Sequence, residues 1–182
     1  IKDFFTNNVF FGYDKDMNIS GNRYRPLTLI TFKLDHYVNN RMFSHAFNIA
    51  LYIIISFLLF FIFRHVLHLN FYLSFLTTLI FIIHPVHVEV IANIKSRDEL
   101  LSILFSLLAL LATYFYHSDY KKRYLILSFF LMLLACFSKE STVVYLILIP
   151  FILYYKKIDY KLIFKSSLSI WGAFLFYFLV RF

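Results

Sequence analysis

Six apolar segments, separated by short charged connections, limit what this chain can fold into more than any other feature. They occupy residues 46–63, 71–83, 100–116, 124–137, 143–155 and 162–180. An α-helix needs about 20 apolar residues to cross a bilayer, and its backbone groups are all hydrogen-bonded internally. The chain is 61% hydrophobic and 15% charged, whereas soluble domains are about half apolar and a quarter charged. The sequence therefore predicts an all-α, polytopic transmembrane helix bundle over residues 44–182.

Basic residues predict how this bundle is oriented. If the six segments alternate in direction, one face holds Arg64, residues 121–123 and residues 156–165, and the other holds far fewer basic residues in its short connections. Cytoplasmic connections are enriched in Lys and Arg, so the first face is predicted to be cytoplasmic. Residues 1–43 are then an outer loop, periplasmic or luminal, and we expect its beginning to be missing. The net charge of +8 follows this membrane topology and predicts a lipid bilayer, not nucleic acid, as the partner.

Residues 84–99 form a polar stretch between two apolar segments on the predicted outer face. Ionisable groups are costly near a bilayer, which favours a functional site, and the alternative is an interfacial turn with charged helix ends. Asp98 and Glu99 precede an apolar segment, where acidic residues stabilise the start of a helix, so Arg97 is the stronger candidate for a positioning role. Pro85 predicts a helix start at this point, although the alternating valines after it also fit a strand.

His84, His87 and Glu89 belong to the residue types that bind zinc or manganese. Their spacing is loose and the sequence shows no fourth ligand, so we assign no metal, and these three residues are only weak candidates. The alternative is that their side chains position a loop or the substrate through hydrogen bonds. No cofactor is assigned from the sequence, and a divalent metal stays an open alternative.

Several short motifs occur in a fixed order along the chain. They are Asn22–Leu29 (NRYRPLTL), Phe43–Leu51 (FSHAFNIAL), His84–Ala92 (HPVHVEVIA), Ser96–Leu101 (SRDELL) and Ser138–Glu140 (SKE). Their order and spacing resemble the membrane half of the polytopic O-mannosyltransferases with C-terminal tetratricopeptide repeats. This family belongs to the C-type glycosyltransferases and includes cadherin-targeting enzymes and bacterial relatives. The resemblance extends over essentially all 182 residues.

This resemblance implies a function. It predicts transfer of a sugar, mannose in this family, from a polyprenyl-phosphate donor to Ser or Thr of a protein acceptor on the outer or luminal face. The family's acidic catalytic motif lies in the first outer loop, which places it upstream of Ile1, so the catalytic residues of this chain are unknown. We expect the chain to be an internal fragment of the membrane domain. The membrane is either the bacterial inner membrane or that of the endoplasmic reticulum.

Three basic residues are the candidates for binding the donor phosphate. Arg23 and Arg25 present guanidinium groups that suit phosphate oxygens, and the alternative is that they contact lipid headgroups in general. Lys139 lies between two apolar segments, 124–137 and 143–155, that are both short for a membrane span. These two segments are either two short spans or one helix pair with a polar elbow between them. Lys139 either adds a second positive charge to the phosphate site or pairs with Glu140, which is predicted to position the substrate or a loop.

Two other classes of function are open from the sequence. A transporter or flippase of a polyprenyl-linked substrate also needs cationic groups beside membrane spans, but it typically has two related halves, and no such repeat is visible. A non-catalytic membrane scaffold for attached repeats has little use for His, Glu, Arg and Lys gathered on one face. The membrane glycosyltransferase is therefore the preferred interpretation.

Overall fold

The computed structural model describes residues 25–38 and 41–181, and 90% of the described part is helical with no strand. The helices are α1 Pro26–Val38, α2 Arg41–Phe61, α3 Phe71–Ile83, α4 Val86–Ala92, α5 Arg97–Asp119, α6 Arg123–Ser138, α7 Tyr145–Tyr155 and α8 Tyr160–Arg181. A π-helical turn, Ile62–Val66, extends α2, and short 3₁₀ turns precede α5 and α7. The predicted all-α helix bundle is confirmed, and the strand interpretation of the residues after Pro85 is wrong.

In the part of the chain that the structure describes, three stretches are long and apolar enough to cross a membrane: Met42–Val66, Ile94–Asp119 and Tyr160–Arg181. Helices α3 and α4 together make a fourth candidate, bent by 64°. The bend falls at Pro85, which lacks the backbone N–H that a continuous helix would use. Arg123–Ser138 and Glu140–Tyr155 are shorter apolar helices. The chain is therefore a multi-pass integral membrane protein.

Small side chains fill the centre of the bundle, where α5, α6 and α8 pack together. Ala109, Ala135 and Ala173 are fully buried, and the hydroxyls of Ser128 on α6 and Ser169 on α8 are 2.8 Å apart. Large apolar side chains instead cover much of the outer surface. Membrane helices pack closely through small residues and interhelical hydrogen bonds because lipid already solvates their large apolar groups. The packing thus agrees with a bundle surrounded by lipid.

One end of the bundle gathers charged and polar groups, and we call it the polar end. Helices α2 and α5 begin there, α4, α6 and α8 end there, and α1 packs against α2, α5 and α6 at the same end. Helix α1 lies within the segment expected to be a loop. The Thr28 hydroxyl donates to the carbonyl oxygen of Ser138, the last residue of α6 (3.3 Å). Which side of the membrane this end faces stays a prediction from the basic residues.

Candidate functional site

Among the described residues, four ion pairs connect different elements at the polar end, and we call their eight side chains the charged layer. The pairs are Arg25–Asp98, Arg97–Asp35, Lys139–Glu99 and Arg181–Glu140. Arg97, Asp98 and Glu99, the first three residues of α5, each contact a different part of the chain. The first two pairs are largely buried, and opposite charges placed close together in a poorly solvated site hold one another far more strongly than they would in water. The layer therefore joins α1, α5, α6 and α8 at one level of the bundle.

Arg97 is fully buried, and its guanidinium is surrounded by partners. Nε donates to the side-chain oxygen of Asn48 (2.9 Å) and Nη2 donates to the carbonyl oxygen of Ser44 (3.2 Å). Nη2 also lies 2.7 Å from the carboxylate of Asp35, and Nη1 donates to the carbonyl oxygen of Thr31 (3.4 Å). All three nitrogens are occupied by protein groups, so Arg97 fixes α1 against α2 and α5.

Arg25 and Lys139 lie on the more open side of the layer. Arg25 pairs with Asp98, and Lys139 pairs with Glu99. Asp98 also interacts electrostatically with Lys139, so these four residues form one quartet of two cations and two carboxylates. The Nε of Arg25 is buried and has no hydrogen-bond partner among the described residues. Such a guanidinium retains donors for a further oxygen ligand, a phosphate oxygen in particular.

Lys139 and Glu140 do not pair with each other, although the sequence allowed that interpretation. Glu140 instead lies 3.0 Å from Arg181, the last residue of α8. Lys139 ends α6 in an extended conformation, with φ −156° and ψ 140°. Successive side chains of extended backbone point to opposite sides, which directs Lys139 toward α5 and Glu140 toward α8. This part of the layer thereby closes the end of the bundle.

His84, His87 and Glu89 lie at the bend between α3 and α4. The Nδ1 of His87 is 2.7 Å from the carbonyl oxygen of Phe81, so this nitrogen carries the proton and donates. The hydroxyl of Tyr52, on α2, lies 3.3 Å from the same nitrogen and 3.2 Å from the same carbonyl. His84 and Glu89 are exposed, and Glu89 has no ion pair among the described residues. His87 thus stabilises the bend by capping the end of α3.

The described ranges contain no group of three or more His, Cys, Asp and Glu side chains arranged to hold a metal ion. The imidazole rings of His84 and His87 are 5.8 Å apart between centroids, and no third ligand from residues 25–38 or 41–181 joins them. We therefore assign no step to a metal.

The structure brings together only part of the predicted site. Arg25, Arg97, Lys139 and Glu140 lie in the charged layer, whereas Arg23 lies outside the described residues. No contact joins the exposed side chain of Glu89 to the layer among the described residues. A cavity of about 450 Å³ lies elsewhere, between α2 and α3, and its lining is apolar. The charged layer, not this cavity, is the candidate site.

Sequence reasoning missed two side chains that hold the layer together, Asp35 and Asn48. Both lie in mainly apolar stretches: Asp35 near the end of α1, where Lys33 is also charged, and Asn48 near the start of a membrane span. Polar groups at such positions usually have a partner within the protein. That signal is present in the sequence, although it does not identify Arg97 as the partner.

Several curated proteins are similar to this chain. Protein O-mannosyl-transferase TMTC1 of Homo sapiens is 37% identical over 110 residues, covering 59% of this chain and 12% of that protein. Protein O-mannosyl-transferase TMTC4 of Mus musculus is 35% identical over 117 residues, covering 56% and 16%. Protein O-mannosyl-transferase F38B6.6 of Caenorhabditis elegans is 32% identical over 106 residues, covering 56% and 15%.

The similarity is to a small part of these relatives. The chain spans 12% to 16% of the length of the three proteins. No family model matches the chain, and no solved structure matches it. The resemblance suggested by the sequence motifs is confirmed: over somewhat more than half of its length, this chain is homologous to proteins named protein O-mannosyl-transferases.

Proposed function

We propose that this chain is part of a membrane glycosyltransferase that transfers mannose from a polyprenyl-phosphate donor to Ser or Thr of a protein acceptor. The similarity to proteins named protein O-mannosyl-transferases carries this proposal. The apolar helices support it, because a lipid-linked donor is presented within a membrane. We place the reaction on the outer or luminal face, in the endoplasmic reticulum membrane or the bacterial inner membrane.

In this reaction the acceptor oxygen forms a bond to the anomeric carbon of the sugar, and the bond from that carbon to the phosphate oxygen breaks. A base takes the proton of the acceptor hydroxyl, and polyprenyl phosphate leaves with the bonding electron pair. Negative charge therefore develops on the phosphate, where fixed cations stabilise the transition state. The described residues offer Arg25 and Lys139 for this role, and we propose that Arg23 binds the same phosphate.

Both cations are already paired, so the donor phosphate must compete with carboxylates of the protein. The side chains of Arg25 and Lys139 are 18% and 21% exposed, which gives an anion access to each. Arg25 also has an Nε without a partner among the described residues, and because this nitrogen is buried, the side chain would have to shift for it to reach an anion. We propose that the phosphate displaces Glu99 from Lys139 and shares Arg25 with Asp98. During such an exchange each cation always has an anionic partner, either a carboxylate or the phosphate. This avoids the free-energy cost of leaving a charge unpaired at a poorly solvated end of the bundle.

The remaining residues act by positioning. We propose that Arg97 holds α1, and with it Arg25, against the start of α5. Glu140 ties α8 to the end of α6, and His84 and His87 shape the bend that carries Glu89. Glu89 is exposed and has no ion pair among the described residues. We therefore propose that its carboxylate orients the protein acceptor.

A transfer assay with the full-length protein tests this function. Purified protein is incubated with polyprenyl-phosphate mannose and an acceptor protein, and mannose on Ser or Thr is measured. Arg25→Lys keeps a charge but loses the planar fork, and Lys139→Ala removes a cation. Loss of one charged contact to a leaving group costs about a hundredfold in turnover. Absence of transfer by the wild-type protein would refute the proposed activity.

Matched variants separate the phosphate site from general effects of charge. Arg64→Lys makes the same change at the opposite end of the bundle, where the guanidinium donates to the carbonyl oxygen of Leu69. Lys95→Ala removes an exposed lysine close to the charged layer. Both controls should retain wild-type turnover. Wild-type turnover in Arg25→Lys and in Lys139→Ala as well would show that neither residue binds the donor phosphate.

A further inference from the structure

Helix α1 has its polar and apolar sides reversed relative to a helix on the surface of a soluble protein. Thr28, Thr31 and Asp35 follow one another at helical spacing and face the bundle. On the opposite side, Ile30, Leu34 and Tyr37 recur at intervals of four and three residues and are exposed. Residues at these intervals lie on one face of a helix. An apolar stripe thus points away from the protein.

Contacts with the charged layer fix this orientation. The carboxylate of Asp35 and the carbonyl oxygen of Thr31 are both held by the buried guanidinium of Arg97. The hydroxyl of Thr28 is held by the end of α6. Rotating α1 to bury the stripe would break these contacts and leave the charge of Arg97 without its carboxylate. The fold therefore keeps the polar side inward.

The outward stripe is strongly exposed. Leu34 and Tyr37 are 58% and 79% exposed, and Val38 continues the surface. The stripe leads along the chain to Met42, the first residue of a membrane-spanning stretch, whose side chain is also exposed. The span that follows α1 must lie in the bilayer, so lipid is already present next to the stripe.

We propose that α1 is an interfacial helix whose stripe of Ile30, Leu34, Tyr37 and Val38 is buried in the acyl-chain boundary of the outer leaflet. Amphipathic helices of this kind lie in the membrane plane at a depth of about 5–10 Å. The occupant of the exposed face is therefore lipid, not water and not another protein segment. The charged layer, on the inward side of α1, then lies at the depth of lipid phosphate groups. This inference does not depend on the enzymatic activity.

Spin-label accessibility in the full-length protein, reconstituted in lipid nanodiscs, tests the proposal. A nitroxide is attached to Leu34→Cys or Tyr37→Cys, and its collisions with oxygen, which concentrates in lipid, are compared with those of a water-soluble nickel chelate. The protein without an introduced cysteine sets the labelling background, and Cys136 of this chain is buried. We expect frequent collisions with oxygen and few with nickel at both positions.

Two positions provide the references. Lys95→Cys, in an exposed turn at the polar end, should collide frequently with nickel. Phe57→Cys, on the exposed face of the α2 span, should collide with oxygen and give the value for a site within the bilayer. Frequent nickel collisions at Leu34 and Tyr37 would place the stripe in water and overturn the proposal. Few collisions with either reagent would show that protein covers the stripe, which would overturn it as well.

Discussion

Replacing Arg97 should unfold the polar end of the bundle more readily than any other single change in the charged layer. Arg97→Met keeps a long side chain but removes the charge and every donor nitrogen. The side-chain oxygen of Asn48 and the carbonyl oxygen of Ser44 then lose their donor, and the carboxylate of Asp35 loses its cation. Removing one partner of a buried ion pair costs about 3–5 kcal/mol, mainly because the other charge stays buried without compensation.

This cost translates into a measurable shift of the melting temperature. For chains of 150–250 residues, 1 kcal/mol lowers the melting temperature by about 2–4 °C. Arg97→Met should therefore melt roughly 6–20 °C below the wild type when thermal unfolding is followed in detergent micelles. The control is Lys95→Met, because Lys95 is exposed and only two residues away, and exposed substitutions usually change the free energy of unfolding by less than about 0.5 kcal/mol.

The double variant Arg97→Met with Asp35→Asn tests the cause of the loss. If the uncompensated carboxylate is responsible, removing its charge should recover part of the stability, with a coupling of about 0.5–3 kcal/mol between the two sites. Hydrogen exchange should increase in α1 in the single variant, because Thr31 and Asp35 lose their attachment. A melting temperature of Arg97→Met within about 2 °C of the wild type would refute a buried, structural role for this arginine.

Three further outcomes follow from the structure. Glu99→Gln removes the counter-ion of Lys139, so free polyprenyl phosphate should inhibit transfer at a concentration up to about tenfold lower, a gain of about 1.4 kcal/mol; an unchanged inhibition constant would argue against competition between the carboxylate and the phosphate. An impermeant maleimide should label Asn93→Cys from the outer or luminal side and Lys122→Cys from the cytoplasmic side, and labelling of both from one side would contradict the predicted orientation. Glu89→Gln should raise the KM for the protein acceptor and leave the melting temperature unchanged. A lowered melting temperature with an unaltered KM would show that this exposed carboxylate stabilises the fold and does not orient the acceptor.

The membrane helices were predictable because a long apolar composition is enough to identify a helix that lies in lipid. A long run of apolar residues has few ways to satisfy its backbone groups in a bilayer, so α5 and α8 follow directly from their sequences. Helix α1 was missed for the opposite reason. Its polar side faces inward and its apolar side outward, so a search for an apolar face buried by the protein does not recognise it. The spacing of Thr28, Thr31 and Asp35 was nevertheless helical.

The ion pairs were less predictable because their members are far apart in the sequence. Arg25 and Asp98 are separated by 73 residues, and Lys139 and Glu99 by 40. A neighbour such as Glu140 is an obvious candidate partner for Lys139, but the extended backbone at the end of α6 turns the two side chains apart. The residue types at the polar end therefore indicated a charged site, whereas its pairing depended on how α5 and α6 pack.

The two cations of the quartet are held with different strength, and this difference orders the events of phosphate binding. The carboxylate of Glu99 is 40% exposed, so it can leave Lys139 and remain solvated. The side chain of Asp98 is only 7% exposed, and separating it from Arg25 would leave a buried carboxylate with less compensation. Exchange at Lys139 therefore costs less and should come first. Arg25 stays paired with Asp98 and donates its remaining N–H groups to the phosphate. Lys139 has by then neutralised part of the phosphate charge, so the role of Arg25 is to fix the orientation of the phosphate.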